Sequence, residues 1–296
     1  MSKMNFIDDI NKIAGEWLRD LGIESDLGNK DNLVEFLRFY TLWIPKTPRE
    51  VYISKQLNES QKFKQYEKEI AFIKEKIEKG EDIMPFASAR KKPSKKGGNP
   101  RNNDLLNDWG IYHLHLGTEY DKSGKIKRSE DLLFCIINSK SVYFIDIQGH
   151  RDNWANKELL EIVYDNWSEL LEPYELDMIP DYNYTSEEIR DFRKIGSNMC
   201  VTLKNDKTFM IGNFAMDGTS MKVVSRVNAI TKELQLLENK FETDKEIVEK
   251  LGDSSTIKLT GCDLSALGFT FMSFSVDNGK TIYITPSVNG IDISIK

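Results

Sequence analysis

Long apolar runs are missing from this chain of 296 residues. No segment approaches the ~20 consecutive apolar residues that a bilayer-spanning helix needs, so no membrane partner is expected. The opening MSKMNFIDDI has neither a basic region nor an apolar one behind it, which argues against a secretory signal and predicts a cytoplasmic, reduced protein. Cysteine is scarce as well. Cys135, Cys200 and Cys262 are odd in number, widely separated and in no C-x-x-C spacing, which excludes a disulfide framework and predicts three free thiols. Nor is there an excess of positive charge: 41 basic groups against 47 acidic ones leave a net charge of -6. That balance argues against bulk, sequence-blind nucleic-acid binding but leaves room for a local basic groove.

Histidine is as scarce as cysteine, and its distribution is uneven. All three, His113, His115 and His150, fall in one short central stretch, two of them as His-Leu-His. Imidazole titrates nearest to working pH, so it carries protons, binds metals or contacts phosphate more readily than other side chains. Such crowding points to one chemical site.

Apolar spacing divides the rest of the chain. Residues 1–82 read as an N-terminal helical region. Phe6, Ile10, Ile13, Trp17 and Leu21 recur at three- and four-residue steps, Gly22 stops that helix, and Leu33, Phe36, Leu37 and Tyr40 mark a second one before Pro45 and Pro48. Arg49 to Ser54 reads as short and extended, and Glu59 to Lys79 as one long, charged helix. Residues 83–104 break all periodicity: Ala89 to Arg101 carries six basic groups and no acid, the composition of a flexible basic linker. This segment is a candidate contact for a phosphate backbone or a solvated linker alone. Residues 105–175 read as a central α+β unit, with strands at Trp109–Thr118, Asp131–Asn138 and Val142–Gln148, a turn at Asn138–Ser141, and a covering helix from Leu159 to Leu170. Residues 180–296 read as a C-terminal α+β domain: a short helix, a hairpin about Asn205-Asp206-Lys207, a long helix from Met221 to Phe241, and three strands at 255–260, 268–276 and 280–286. The fold class expected for the whole chain is α+β.

Strand parity sharpens the histidine signal. His113 and His115 share one face, about 7 Å apart along the strand, with Tyr112, Leu114 and Leu116 on the other. In the third strand Tyr143, Ile145 and Ile147 are expected on one side, leaving Asp146 and Gln148 opposite as polar support, with His150 at the strand end. One face is then expected to be core and the other chemistry. Basic residues surround the group: Lys122, Lys125, Lys127 and Arg128 lie between the first two strands and Arg151 follows His150. Metal-independent RNA cleavage needs a base for the 2'-hydroxyl, an acid for the leaving oxygen and a cation for the crowded phosphorane. The three histidines, with Arg128, Arg151 and Lys127 on phosphate, fit those roles without a cofactor, and RNA is the expected substrate because it carries the internal nucleophile.

Two other readings stand beside this one. Histidines on a half-buried strand also occur as packed residues with satisfied ring nitrogens. His113, His115, Glu119 and His150 also resemble the ligand set of cupins, which implies iron, manganese or zinc; the glycine spacing ahead of the pair and the charged helix after His150 depart from that pattern.

The segment Ile111-Tyr112-His113-Leu114-His115-Leu116, Arg128 before Asp131-Leu132-Leu133-Phe134, and Val142 to Ile147 ending in Gly149-His150-Arg151 resembles RelE- and ParE-like toxin domains over about 45 residues. The resemblance implies an endoribonuclease of bacterial toxin or phage-defence type, acting on free or ribosome-bound mRNA. Arg128 would correspond to the phosphate-binding arginine and His150 with Arg151 to the strand-end basic pair. The toxins are small and basic, whereas this chain is acidic and embeds the unit between two others. The His113/His115 pair is not one of their general features. The lead into His-Leu-His, with Asn166-Trp167 after the helix, is also similar to uncharacterised bacterial proteins of defence type. A non-catalytic module binding a partner protein, the ribosome or RNA is the alternative from a different class, with the solvated 59–79 helix and short sheet edges as its contact surfaces.

Overall fold

The computed structural model describes residues 4–296 except 88–103, 128, 150–156, 179, 181, 196, 198, 212–214, 216–218, 253–255, 266–267 and 288–289. The chain is α+β and divides into two compact units. Met1–Leu42 joins Met221–Lys296 in one of them, and Trp43–Ser220 forms the other. The 82 N-terminal residues read as one helical region are thus shared between both.

The first unit begins with α1 (Phe6–Asp20), capped by the Asn5 side chain, and α2 (Asn32–Tyr40). Asn11 is buried between them, its Nδ2 donating to Ile7 O at 2.9 Å and its carbonyl oxygen accepting from Leu33 N at 3.0 Å. One amide side chain therefore satisfies a group in each helix, which a buried polar residue requires.

In the central unit β1 (Glu50–Ile53) leads into α3 (Lys55–Asn58), α4 (Gln61–Gln65) and α5 (Glu67–Glu78). The single helix expected over Glu59–Lys79 is broken. Ser60 accepts from Phe63 N and starts α4 afresh, and Tyr66, at φ -109°, separates α4 from α5. The Ser60 hydroxyl, by satisfying an orphan N–H group, sets the start of α4, a local competition that apolar spacing does not register, whereas α5 starts without a side-chain cap. Then follow α6 (Asp104–Trp109), β2 (Ile111–His115), β3 (Asp131–Ile137), β4 (Ser141–Gly149) and α7 (Lys157–Trp167). Trp109, expected to open the first strand, ends α6 instead. Gly110, at φ +74°, makes the switch from helix to strand, a conformation that glycine adopts at no steric cost.

The main sheet of this unit has the order β1-β4-β3-β2, with β1 parallel to β4 and the other pairs antiparallel. A smaller antiparallel sheet, in the order β5-β7-β6, is made by β5 (Glu175–Leu176), β6 (Met199–Thr202) and β7 (Thr208–Ile211), with α8 (Ser186–Ile195) between its strands in sequence. Apolar clusters cover both faces of the main sheet. Leu132, Phe134, Ile136 and Ile145 pack with Leu159, Leu160 and Val163 of α7, whereas Leu114, Leu133, Cys135, Val142 and Phe144 pack with Ile70, Ile73 and Ile77 of α5.

The first unit is completed by α9 (Met221–Thr243), α10 (Lys245–Leu251) and a meander of β8 (Ile257–Ser265), β9 (Gly268–Val276), β10 (Thr281–Ser287) and β11 (Gly290–Ile295). Its core joins Phe6 and Ile10 of α1, Leu33 and Leu37 of α2, Ile230 and Leu234 of α9, and Phe274 and Ile282 of the sheet. No helix among the described residues is long and apolar enough to cross a membrane.

Candidate functional site

Directly opposed residues in a sheet project to the same side, so the register of the main sheet decides which of the expected site residues share a face. Three rows follow from it across β2, β3 and β4: Ile111, Ile136 and Tyr143; then His113, Phe134 and Asp146; then His115, Leu132 and Gln148. One face thus runs from an apolar end to a polar end. His113, His115, Asp146 and Gln148 occupy the polar end, at the finish of β2 and β4 and the start of β3.

A bulge makes this arrangement possible. Phe134 pairs with Asp146 but Cys135 pairs with Phe144, so Ile145 is the extra residue. The side shared by Tyr143, Ile145 and Ile147 in the expectation does not exist. Tyr143 and Ile145 join the cluster under α7, and Ile147 joins the one under α5. The expected division into a core face and a chemistry face also fails, because helices cover both. His113 and His115 are only 8% and 5% exposed.

The two polar pairs lie on strands that are not neighbours. Leu132 and Phe134, both fully buried, stand between them on β3, and the His113 ring lies 6.3 Å from that of Phe134, centre to centre. With neighbouring strands about 4.8 Å apart, the backbones of β2 and β4 are separated by about 10 Å. On β4 itself, Gln148 Nε2 donates to Asp146 Oδ2 at 2.8 Å. Burial pushes the Asp146 carboxyl above the ordinary range, opposed by hydrogen bonds from Gln148 and the Ile147 amide; Glu158, at the start of α7, adds to the rise and Lys62 opposes it. A carboxyl so placed holds its proton to higher pH than a solvated one.

The basic surround is only partly brought to this group. Lys127 and Glu119 are exposed and form an ion pair on the hairpin closed by the Tyr120–Ile126 bridge. Asp121 shapes the tip of that hairpin, accepting from Ser123 N, Ser123 Oγ and Lys125 N. Glu119, offered as a metal ligand beside the histidines, therefore sits on an exposed loop with its carboxylate engaged by Lys127, whereas His113 and His115 are buried. Among the described residues no group of three His, Cys, Asp or Glu side chains is placed to hold a metal ion. Arg128, His150 and Arg151 lie outside the described residues, as does the basic stretch from Ala89 to Arg101.

One polar cluster escaped the sequence reading. Asp131, at the start of β3, accepts from Lys62 Nζ at 2.7 Å and from the Tyr66 hydroxyl at 3.0 Å. It pins α4 and the residue before α5 to the same end of the sheet. Asp131 is more than sixty positions from both Lys62 and Tyr66, and no spacing rule connects it to them. No protein-family model matches the chain, and no curated protein and no solved structure matches it.

Proposed function

We propose that the central unit cleaves RNA by metal-independent acid–base catalysis, in the cytoplasm of a bacterium and in a toxin or phage-defence setting. The observation that supports this reading is the polar end of one sheet face, where two histidines on β2 and a carboxyl with a raised proton affinity on β4 lie on either side of β3. In the proposed scheme His113 and His115 exchange protons with the 2'-hydroxyl and the leaving oxygen, His150 contributes from the end of β4, and Asp146 with Gln148 orients the site. Lys127, Arg128 and Arg151 supply positive charge to the phosphate. The resemblance to RelE- and ParE-like toxin domains supports the substrate class. The flanking unit would then regulate the activity or select the target.

The test is incubation of the purified chain with total cellular RNA in EDTA. Cleavage is expected, and His113→Ala and His115→Ala are each expected to slow it by about 10²- to 10⁴-fold, the usual contribution of one acid or base. Intact RNA across several RNA preparations, or full activity in the double variant, overturns the proposal.

The burial of both imidazoles favours a second reading, a non-catalytic module that holds a protein partner, the ribosome or RNA. There the histidines are packing residues. This reading predicts no turnover, a stoichiometric complex, and a His113→Ala, His115→Ala variant that melts at lower temperature but retains binding.

A further inference from the structure

The two edges of the β8–β11 meander are finished differently. β8 is one edge and β11 the other. At β8 the Asp9 carboxylate of α1 accepts from Leu259 N at 3.0 Å, and register shifts between Leu259 and Gly261 and between Asp263 and Leu264 kink the strand. A capped amide and a bulge both keep an edge from pairing with another chain. β11 pairs with β10 without a register shift, contains no proline, and carries its one charge, Asp292, on the exposed outer face.

Lys296 and Thr281 exchange both backbone hydrogen bonds, at 2.8 and 2.9 Å. The ladder then turns the backbone groups of Ser294 and Asp292, at alternate positions, toward β10 as well. The N–H and C=O groups of Ile291, Ile293 and Ile295 consequently point away from the sheet, and among the described residues they have no hydrogen-bond partner. Their side chains lie on the covered face. Ile293 and Ile295 pack half-buried against the core of the first unit, and Ile291 is 37% exposed. An apolar, unblocked edge of this kind is a template for another extended strand.

The residues of the edge specify which strand fits it. An added strand must present amides at alternate positions, place an apolar side chain opposite each isoleucine, and set no acid against Asp292. A second copy of β11, antiparallel about a two-fold axis through Ile293, meets all three conditions. Ile293 then faces Ile293 of the second copy, and Ile291 faces Ile295 in both directions; each pair exchanges both backbone hydrogen bonds. On the outer face Asp292 lies opposite Ser294 and diagonal to Lys296, a separation of about 7–8 Å that a lysine side chain spans. Lys296 already lies over that face, its Nζ 5.5 Å from the centre of the Tyr283 ring. The neighbouring registers fail. Sliding two residues one way sets Asp292 against Asp292, and sliding two the other way leaves Ile291 past the end of the second β11.

We infer that β11 pairs with β11 of a second copy of this chain, so that two meanders form one continuous sheet about a two-fold axis. Each copy supplies what the other lacks: hydrogen-bond partners for the outward backbone groups, cover for the row of isoleucines, and a cation for Asp292.

The test is sedimentation velocity of the full chain from micromolar to submillimolar concentration. A shift from monomer to dimer is expected as concentration rises. Asp292→Lys and Lys296→Asp, both at exposed positions, are each expected to weaken the dimer at least threefold at low salt, because each sets like charges on the diagonal. Mixing the two single variants is expected to restore it, since every diagonal then joins a lysine to an aspartate. Ile293→Lys, on the axis, is expected to leave monomer alone. Amide hydrogen exchange at Ile291, Ile293 and Ile295 is expected to slow as concentration rises. A monomer at every concentration, a dimer unchanged by both charge variants, a mixture no tighter than either variant, or exchange at the three amides that is independent of concentration each overturns the proposal.

Discussion

The two larger sheets of this protein solve the problem of burial differently. The β8–β11 meander has one covered face: Leu259, Met272, Phe274, Ile282 and Ile284 turn toward the helices, while Lys258, Thr260, Thr270, Ser275 and Thr285 remain exposed. Its outer face is held by surface contacts such as Thr260 Oγ1 with Ser273 Oγ at 3.3 Å and the Phe271–Tyr283 ring pair at 6.0 Å. The main sheet of the central unit is covered on both faces, so β3 reads Leu132, Leu133, Phe134, Cys135, Ile136 with every side chain buried. A sheet covered once writes its parity into alternating polarity; one covered twice leaves no such record, and a polar residue there stands out against apolar neighbours. The histidines are conspicuous for that reason, and their depth follows from the same cause.

The contrast predicts different mutational patterns. In the central sheet Leu132→Ala and Leu133→Ala, adjacent in sequence and on opposite faces, are each expected to lose about 2–5 kcal/mol in urea unfolding. In the meander Phe274→Ala is expected to lose about 3–5 kcal/mol, and its neighbour Ser273→Ala to stay within about 0.5 kcal/mol. A near-neutral Leu133→Ala would break the contrast. Ser54 is fully buried where β1 ends; its Oγ donates to Ile145 O at 2.6 Å and accepts from Leu57 N at 3.0 Å. Removing it leaves a carbonyl and a helix start unsatisfied. Ser54→Ala is expected to lose about 1–2 kcal/mol by the same assay.

The pH dependence sharpens the comparison further. Asp146 has a raised pKa in the folded protein, so the folded state binds more protons than the unfolded chain above the ordinary carboxyl pKa, and this group's contribution to stability falls as pH rises through the folded value. Asp146→Asn lacks that dependence. Its melting temperature relative to the parent is expected to rise between about pH 4 and pH 7, and a flat or falling difference would show that burial does not govern the carboxyl. The smallest effect concerns the thiols. Burial raises both Cys135 and Cys262, the latter to about 12, while Cys200 is half-buried. Native-state alkylation followed by mass spectrometry is expected to mark Cys200 first, with no change in stability.

What the sequence disclosed follows the same division. The three central strands, the turn at Asn138–Ser141, the long helix from Met221 and two strands of the meander are local patterns, and they lie where spacing and turn residues place them. β1 was legible as extended but not as a member of the main sheet, because its parallel pairing with β4 joins residues some ninety positions apart. β11 was missed, although Gly290–Ile295 alternates apolar and polar residues as a strand covered on one face does. At the site, parity sufficed to put His113 and His115 together. It failed one strand later, where a single inserted residue at Ile145 reassigns the sides and no composition rule announces it. Depth was hidden too. Covering by α5 and α7 is a tertiary fact, and a His-Leu-His triplet looks the same under a helix as beside water.

The split of the first unit into Met1–Leu42 and Met221–Lys296 has a consequence during synthesis. At the usual ~5–20 residues per second, the roughly 180 residues separating its halves take on the order of 10–40 s to make. For that interval Phe6, Ile10, Leu33 and Leu37 have emerged from the ribosome without α9 or the meander that buries them. The central unit is complete first and can fold first. The two N-terminal helices therefore wait unburied while the central unit folds, and any pause in translation between Leu42 and the meander lengthens their exposure by its full duration.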